Sequence, residues 1–209
     1  EKNFTSLIIR SVDAHSTKAR LVDSAYVAER LYSFYENENT SAPMCLYDTN
    51  TTSGRGKKSE NEWVEIYNQT DESLDINGWQ ICDDTSCDIL ASTSPIVISA
   101  KGFAVITASN TTWKYWELAD NVVPIVLGKE IGNGLSNEGD ELILKRPDGV
   151  VMDEMNWQTN TDIWNPGAVN VAKGHTLSRK PNGFDTNSPS DFVDLAPPVL
   201  NLIYPDQSG

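Results

Sequence analysis

Apolar and polar residues alternate along Glu62–Asp83, and this pattern predicts two short β-strands joined by a polar turn. Three apolar residues are expected to face a core, namely Trp63, Ile66 and Ile81. Three polar residues are expected to face water, namely Glu62, Glu65 and Gln80. The segment is therefore predicted to contribute half-buried strands to an antiparallel sheet.

Short strand-like runs separated by turns continue along the rest of the chain. The candidate strands are Pro43–Tyr47, Glu62–Tyr67, Ser73–Ile76, Trp79–Cys82, Asp88–Leu90, Ile96–Ile98, Phe103–Thr107, Val122–Leu127, Glu141–Lys145, Val150–Asn156 and Thr176–Arg179. Asp148–Gly149 is a strong hairpin signal, because Asp-Gly accepts the positive φ of a tight turn. Many short antiparallel strands predict a β-sandwich, with Trp63, Trp79 and Trp157 in its core.

A helical pattern precedes the strands. Between about Phe4 and Glu36 there is no Gly or Pro, and apolar residues recur with helical spacing at Leu7, Ala14, Leu21, Ala25, Ala28, Tyr32 and Tyr35. The pattern predicts one long α-helix of roughly 48 Å, ended by the polar stretch Glu36–Pro43. Because a compact domain of this size rarely covers such a helix, we expect part of it to project or to pack against other chains.

This helical region resembles the second half of the N-terminal helix of type IV pilins and pseudopilins. The similar features are Ser16–Arg20 (STKAR) and Asp23–Asn39, followed by a polar turn and a globular head. The processing site and the apolar first half of that helix do not occur in this sequence. The residues also leave open an ordinary amphipathic helix or a coiled-coil stalk.

The order of motifs in the β-rich part resembles the lamin tail domain, an immunoglobulin-like β-sandwich. Four of the motifs that stand in this family's order are Glu62–Asn68, Gly78–Asp83, Leu135–Leu144 and Gly174–Pro181. The resemblance implies the sandwich in residues 42–192, and together with the helical pattern it gives a mainly β fold preceded by one long N-terminal α-helix in residues 1–41. Residues 193–209 form a proline-containing tail, either a last edge strand or the start of a further module.

The net charge of the chain limits the classes of partner that it is expected to bind. Lys and Arg number 16 and Asp and Glu number 30, for a net charge of −14. Such a field repels phosphate backbones, so nucleic acid is not an expected partner. No run of about 18 apolar residues occurs, so no membrane span is predicted within this sequence.

Motifs for catalysis are not found in the sequence. Its two histidines are His15, in the predicted helix, and His175, at the start of a predicted strand. Neither is placed as the base of a nucleophilic triad, and no P-loop or His-Glu-x-x-His pattern occurs. We therefore expect no enzymatic activity and no cofactor.

Two of the three cysteines are candidates for a cross-link. Cys82 and Cys87 flank a four-residue loop between two predicted strands, which suits a disulfide that closes a hairpin. The alternative is a pair of reduced, half-buried thiols. Cys45 lies in an apolar run and is expected to be a small buried side chain.

Calcium is the one ion that the sequence suggests. Asn182, Asp185, Asn187 and Asp191 are spaced so that hard oxygen ligands could converge. A second acidic cluster, Asp83, Asp84 and Asp88, lies beside the cysteines. The alternative at both places is a polar loop whose side chains bond their own backbone.

Aromatic residues cluster in Thr111–Ala119, where Trp113, Tyr115 and Trp116 occur within four positions. Exposed aromatic side chains mark binding surfaces, so this loop is a candidate contact site. The alternative is a local helical turn that packs over an edge of the sandwich.

These features predict a non-enzymatic protein of the cell surface or the extracellular space. In one hypothesis it is the head of a minor pilin or pseudopilin, which packs with other pilin subunits in a pilus and displays the sandwich for adhesion or assembly. In the other it is a secreted multidomain protein whose sandwich binds surface proteins or glycans. Five Asn-x-Ser/Thr sequons are compatible with both: Asn3, Asn39, Asn50, Asn68 and Asn110.

Overall fold

The computed structural model describes the backbone of residues 5–10 and residues 62–114, 118–136, 138–170 and 176–195. The strands in these ranges are β1 (Thr5–Arg10), β2 (Trp63–Asn68), β3 (Leu74–Asp75), β4 (Gln80–Cys82), β5 (Cys87–Ile89), β6 (Val97–Ile98), β7 (Phe103–Thr107), β8 (Val123–Val126), β9 (Gly139–Lys145), β10 (Val151–Gln158), β11 (Thr176–Arg179) and β12 (Phe192–Leu195). Short 3₁₀ helices occur at Asn110–Lys114 and Pro189–Asp191.

Two four-stranded sheets form the body of the fold. The first has the order β1-β2-β7-β8 and the second the order β10-β9-β4-β5. Pairing is antiparallel except between β7 and β8, which run parallel. Two small ladders, β3-β6 and β11-β12, complete the described sheets.

Most of the predicted strands are confirmed. From β2 to β11, each described strand overlaps a strand that the apolar pattern predicted. The Asp-Gly hairpin between β9 and β10 is also confirmed, since Gly149 has φ of 82° and the Arg146 N–H donates to the Val150 carbonyl over 2.9 Å. Pro43–Tyr47 lies outside the described residues.

One apolar core fills the space between the two main sheets. The first sheet contributes Val64, Ile66 and Ile106, and the second contributes Ile81, Leu144 and others. Further members of the same core include Trp79, Leu142, Met155 and Trp157. Burial of these side chains away from water is the main source of the fold's stability.

The predicted orientation of β2 is wrong in part. Trp63 and Ile66 are three positions apart and lie on opposite faces of the strand, because side chains alternate with a period of two. Glu62 and Glu65, expected to face water, are only 2% and 0% exposed. β2 lies between β1 and β7, and residues on both of its faces are buried.

Residues 5–10 correct the start of the predicted helix. They form strand β1, which pairs antiparallel with β2 so that Thr5 stands opposite Asn68 and Arg10 opposite Trp63. β-branched Thr5, Ile8 and Ile9 suit a strand, and the pairing satisfies backbone groups at the free edge of β2. The rest of the predicted helix and the pilin-like segments lie outside the described residues.

The described part of the C-terminal tail belongs to a strand. β12 spans the predicted boundary between residues 192 and 193 and pairs with β11, and the rest of the tail lies outside the described residues. Among the described residues, no helix is both long and apolar enough to cross a bilayer.

Candidate functional site at the acidic loop end

The hairpin of β4 and β5 forms the base of the candidate site. Cys82 and Cys87 stand directly opposite each other in this pair, and their sulfurs form a disulfide with an S–S distance of 2.00 Å. Cys82 is buried and Cys87 is exposed. The disulfide thus joins the two strands at the point where the acidic turn begins.

Asp83 ties this turn to a second loop. Its Oδ1 accepts hydrogen bonds from the backbone N–H groups of Thr85 and Ser86, at 2.9 and 2.7 Å. Its Oδ2 accepts one from the N–H of Asn133, fifty positions away in sequence. A carboxylate that accepts three backbone donors holds both loops in one arrangement.

Asp88 anchors the same second loop one strand away. Its Oδ2 accepts a 2.7 Å hydrogen bond from the N–H of Gly132, and its Oδ1 forms an ion pair with Lys129. Gly132 has φ of 61°, and a Cβ atom at this position would lie 1.9 Å from Oδ2 of Asp83. Only glycine permits this close approach of backbone and carboxylate.

Asp140, at the start of β9, fixes the other end of the loop. Its Oδ2 accepts from the N–H of Ser136 over 2.8 Å, and its Oδ1 accepts from the N–H groups of Glu141 and Asp84. The Trp157 indole Nε1–H donates to the Ser136 carbonyl over 2.9 Å. We refer to residues 83–87 with 128–136 and 138–141 as the acidic loop end.

Carboxylates dominate the charge of the acidic loop end. Burial raises the pKa of Asp140, and the charge of Asp84 adds to this effect. Burial, followed by the charges of Asp162, Asp84 and Asp140, raises the pKa of Glu141. Carboxylates this close disfavour one another's charged form.

Three of these carboxylates are close enough to share a cation. Ligand oxygens of Asp83, Asp84 and Asp140 all lie within 4.8 Å of one another, so the structure replaces Asp88 of the predicted second cluster with Asp140. However, Asp83 and Asp140 together already accept six backbone N–H hydrogen bonds. In the structure, the side chains of Asp83 and Asp140 anchor loops.

The predicted calcium ligands near the C-terminus surround a protein cation instead. Asp185 and Asp191 accept hydrogen bonds from Nη1 of Arg179 at 3.0 and 3.3 Å, and Asp153 accepts from its Nη2 at 2.6 Å. The Arg179 side chain has no exposed surface, and its guanidinium carbon lies 4.5 Å from the ring centroid of Phe192. The guanidinium thus supplies the positive charge that these carboxylates need.

The rest of the predicted calcium loop is organised by its own backbone. Asp191 accepts from the N–H groups of Thr186 and Ser188, and Asp185 accepts from that of Asn187. Asn182 also has an interaction partner. Calcium at Asn182, Asp185, Asn187 and Asp191 stays a prediction, against which the contacts of Arg179 weigh.

The predicted aromatic loop is described only in part. Trp113 belongs to the 3₁₀ helix Asn110–Lys114, is half-buried, and packs against the cluster formed by Trp63, Phe103 and other residues. Tyr115 and Trp116 lie outside the described residues. Trp113 therefore covers part of the sheet, and a contact role for Trp113, Tyr115 and Trp116 stays a prediction.

One sequon, at Asn68, is buried in the fold. Asn68 is 0% exposed, and its Nδ2 donates to the carbonyls of Glu72, Ile98 and Ser99 at 2.8 to 3.1 Å. An amide in this position is not accessible for glycosylation in the folded protein. Asn110 is exposed, and Asn3, Asn39 and Asn50 lie outside the described residues.

Sequence reasoning missed Asp140, Lys129 and Gly132 as parts of the acidic loop end. Asp140 follows a Gly and begins an apolar strand, which is a weak signal of a loop anchor. The Gly-Asn-Gly run that contains Gly132 signals a turn with positive φ, but the sequence gives no sign that the turn meets Asp83.

Comparison with known proteins connects this fold to one family. The sequence profile of the Lamin Tail Domain matches residues 45–159, which is more than half of the 209 residues. The matched range contains β2 to β10, including the disulfide-bonded Cys82 and Cys87 and the whole acidic loop end. No curated protein matches the chain.

Proposed function

Since this chain belongs to the lamin tail domain family, we propose that it is a non-enzymatic interaction module exported to the cell surface or the extracellular space. Domains of this family are β-sandwiches often found in surface or secreted proteins. In this proposal the sandwich is a rigid scaffold, and the acidic loop end is the surface that meets a partner.

The disulfide between Cys82 and Cys87 is the observation that carries the proposal. Disulfides persist in oxidising compartments and are rare in the cytosol, where thiols are kept reduced. Cys87 is exposed, so its sulfur would be open to cellular reductants. A cross-link at this position therefore favours an exported protein.

The acidic loop end is proposed as the contact surface because it is both charged and fixed. Asp84, Glu130, Glu138 and Asp162 are exposed there or beside it. The loops below them are held by hydrogen bonds to buried Asp83, Asp88 and Asp140, so little conformational freedom would be lost on binding. The partner is a protein surface rich in Lys and Arg rather than a neutral glycan.

The pilus-subunit form of this function rests on the helical spacing of residues before Glu36. The predicted helix of that form begins at about Phe4. Thr5–Arg10 instead pairs with β2 inside the first sheet. We therefore propose the secreted or surface interaction module in preference to the pilin head.

Fractionation of the producing cells tests the proposal. An antibody against residues 62–195 would be applied to cytosol, envelope, medium and mechanically sheared surface fibres. Signal in the medium or on the envelope is expected. Signal confined to the cytosol would overturn the proposal, and signal along the fibres would restore the pilus-subunit form.

A further inference from the structure

Strand β5 (Cys87–Ile89) forms one edge of the second sheet and pairs with β4 on its inner side. The pair next to Ile89 is hydrogen-bonded, since the Leu90 N–H donates to the Trp79 carbonyl over 2.7 Å. Bonded and non-bonded pairs alternate along an antiparallel ladder. The backbone N–H and C=O groups of Cys87 and Ile89 therefore point away from β4, toward the open side of the sheet.

The other edges of the two main sheets are less open in the described part of the chain. Along β10, the Ala168 N–H donates to the Asn156 carbonyl over 2.9 Å, and the Gln158 N–H donates to the Ala168 carbonyl over 3.2 Å. β8 contains Pro124, which has no N–H to donate to a further strand. β1 lies beside β11. Among these edges, β5 is thus the one best suited to accept another strand.

The outer side of β5 adds apolar surface to this open backbone. Asp88 points inward and is 2% exposed, so its neighbours Cys87 and Ile89 face outward. Ile89 is 58% exposed, and the exposed Cys87 is joined to Cys82 of β4 by the disulfide. Because the cross-link holds β5 on β4, little conformational freedom would be lost when a strand is added.

Negative charge is concentrated at one end of this edge. β5 follows directly after the turn that contains Asp84, whose side chain is exposed. Ligand oxygens of Asp83, Asp84 and Asp140 lie within 4.8 Å of one another. A strand that lies along β5 and continues past Cys87 would therefore meet these carboxylates, which favour Lys and Arg at that end of the strand.

We propose that β5 binds an extended, basic segment of a partner protein as an added strand of the second sheet. The backbone groups of Cys87 and Ile89 hydrogen-bond to the segment, and the Ile89 side chain packs against one of its apolar residues. The acidic loop end binds its Lys and Arg residues. This inference rests on the proposed function, because it names the form in which the basic partner is bound at that surface.

A second copy of this chain is a poorer occupant of the same edge. Pairing of two β5 edges would bring together two chains that each carry a net charge of −14. Each copy would also bring its own acidic turn to the pair, and like charges oppose association. A basic segment instead complements the charge of the chain.

Peptide binding to the full chain at low ionic strength, measured by isothermal titration calorimetry, tests the inference. The probe is a decapeptide in which Lys and Val alternate. Its control has Pro in place of every Val, which keeps the charge but prevents pairing as a strand. The Lys-Val peptide should bind at least about tenfold more tightly, because it alone can pair with the edge of β5. Equal affinities would overturn strand addition and leave the acidic contact surface of the proposed function intact.

Two proline variants test whether the Lys-Val peptide binds at β5. Ile89→Pro removes the outward N–H of β5 and should lower the affinity at least about fivefold. Val126→Pro is the matched control and should leave the affinity unchanged. Val126 is also an exposed residue of an edge strand, and its N–H points outward because the N–H of Leu127 donates to the Thr107 carbonyl. Thermal unfolding checks that both variants are folded.

The remaining outcomes would each overturn the inference. Undiminished binding by a folded Ile89→Pro variant would place the peptide away from β5. Binding of neither peptide to the parent protein would overturn the acidic contact surface of the proposed function as well. A concentration-dependent dimer of the parent that Ile89→Pro abolishes, measured by analytical ultracentrifugation, would assign the edge to a second copy.

Discussion

The backbone of Gly132 and the carboxylate of Asp83 lie so close together that only glycine fits at position 132. A Cβ atom on Gly132 would lie 1.9 Å from Oδ2 of Asp83, and the next residue, Asn133, donates its N–H to that same oxygen. The loop backbone therefore rests on the carboxylate, and this contact fixes the shape of the acidic loop end.

Gly132→Ala is expected to destabilise the protein more than the same change at Gly128. Both glycines have positive φ, 61° and 77°, but a Cβ at Gly128 would meet nothing within 4 Å. Backbone strain alone costs about 1 kcal/mol, and the clash with Asp83 should add about 1–3 kcal/mol. Urea unfolding of both variants measures the difference, and equal losses of unfolding free energy would contradict the described contact.

Arg179→Met should be strongly destabilising, by about 3–5 kcal/mol, because it leaves the carboxylates of Asp153, Asp185 and Asp191 without their cation. Arg146→Met is the control, since Arg146 pairs with Asp148 at the surface, where an ion pair contributes at most about 1 kcal/mol. Thermal unfolding at neutral pH compares the two. A variant at position 179 as stable as the control would mean that the arginine is not the centre of this cluster.

Removal of the disulfide should lower the free energy of unfolding by about 2 kcal/mol, the value expected from the entropy of closing so short a loop. The double variant Cys82→Ala with Cys87→Ala removes the cross-link without leaving a free thiol in the pair. Its unfolding free energy should be insensitive to reductant, whereas that of the parent should fall when reductant is added. A parent protein that reductant does not affect would show that the cross-link does not contribute.

The pH dependence of the acidic loop end follows from its raised pKa values. Since the pKa of Asp140 and of Glu141 is raised in the folded state, each group contributes stability at low pH. That contribution is lost as the pH rises from the ordinary value, 3.8 for Asp140 and 4.5 for Glu141, through the raised folded value.

Asp84→Asn should lower both pKa values, because it removes one negative charge that raises them. The advantage of this variant over the parent in unfolding free energy should be absent at low pH and appear as the pH rises through this window. Carboxyl titrations followed by NMR measure the pKa values directly. Unchanged titration of Asp140 and Glu141 in the variant would refute the electrostatic account.

The strands could be predicted from the sequence because apolar alternation and turn residues are local signals. The Asp148–Gly149 turn, for example, is encoded by two adjacent residues. The apolar spacing places Thr5–Arg10 at the start of a helix, whereas these residues form strand β1, because TSLIIR is a short apolar run whose period is ambiguous. Its partner β2 lies more than fifty residues away, and tertiary pairing decided the outcome.

The candidate site was harder to predict because its contacts are between residues distant in sequence. Asp83 and Asn133, or Asp153 and Arg179, meet only after the sheets have packed. The carboxylates of Asp185 and Asp191 have the spacing of calcium ligands, and nothing local indicates that an arginine from β11 lies between them. Cys82 and Cys87, by contrast, are close in sequence, and their spacing predicts the pairing.

The central claim is that the module is exported. Its most direct test is whether Cys82 and Cys87 are oxidised to a disulfide in the protein taken from its producing cells. Intact producing cells would be treated with an alkylating reagent at low pH to trap free thiols, and the peptide containing residues 82–87 would be analysed by mass spectrometry without reduction. The account predicts that this peptide carries the disulfide and no alkyl group. A doubly alkylated peptide in the mature protein would contradict export to an oxidising compartment.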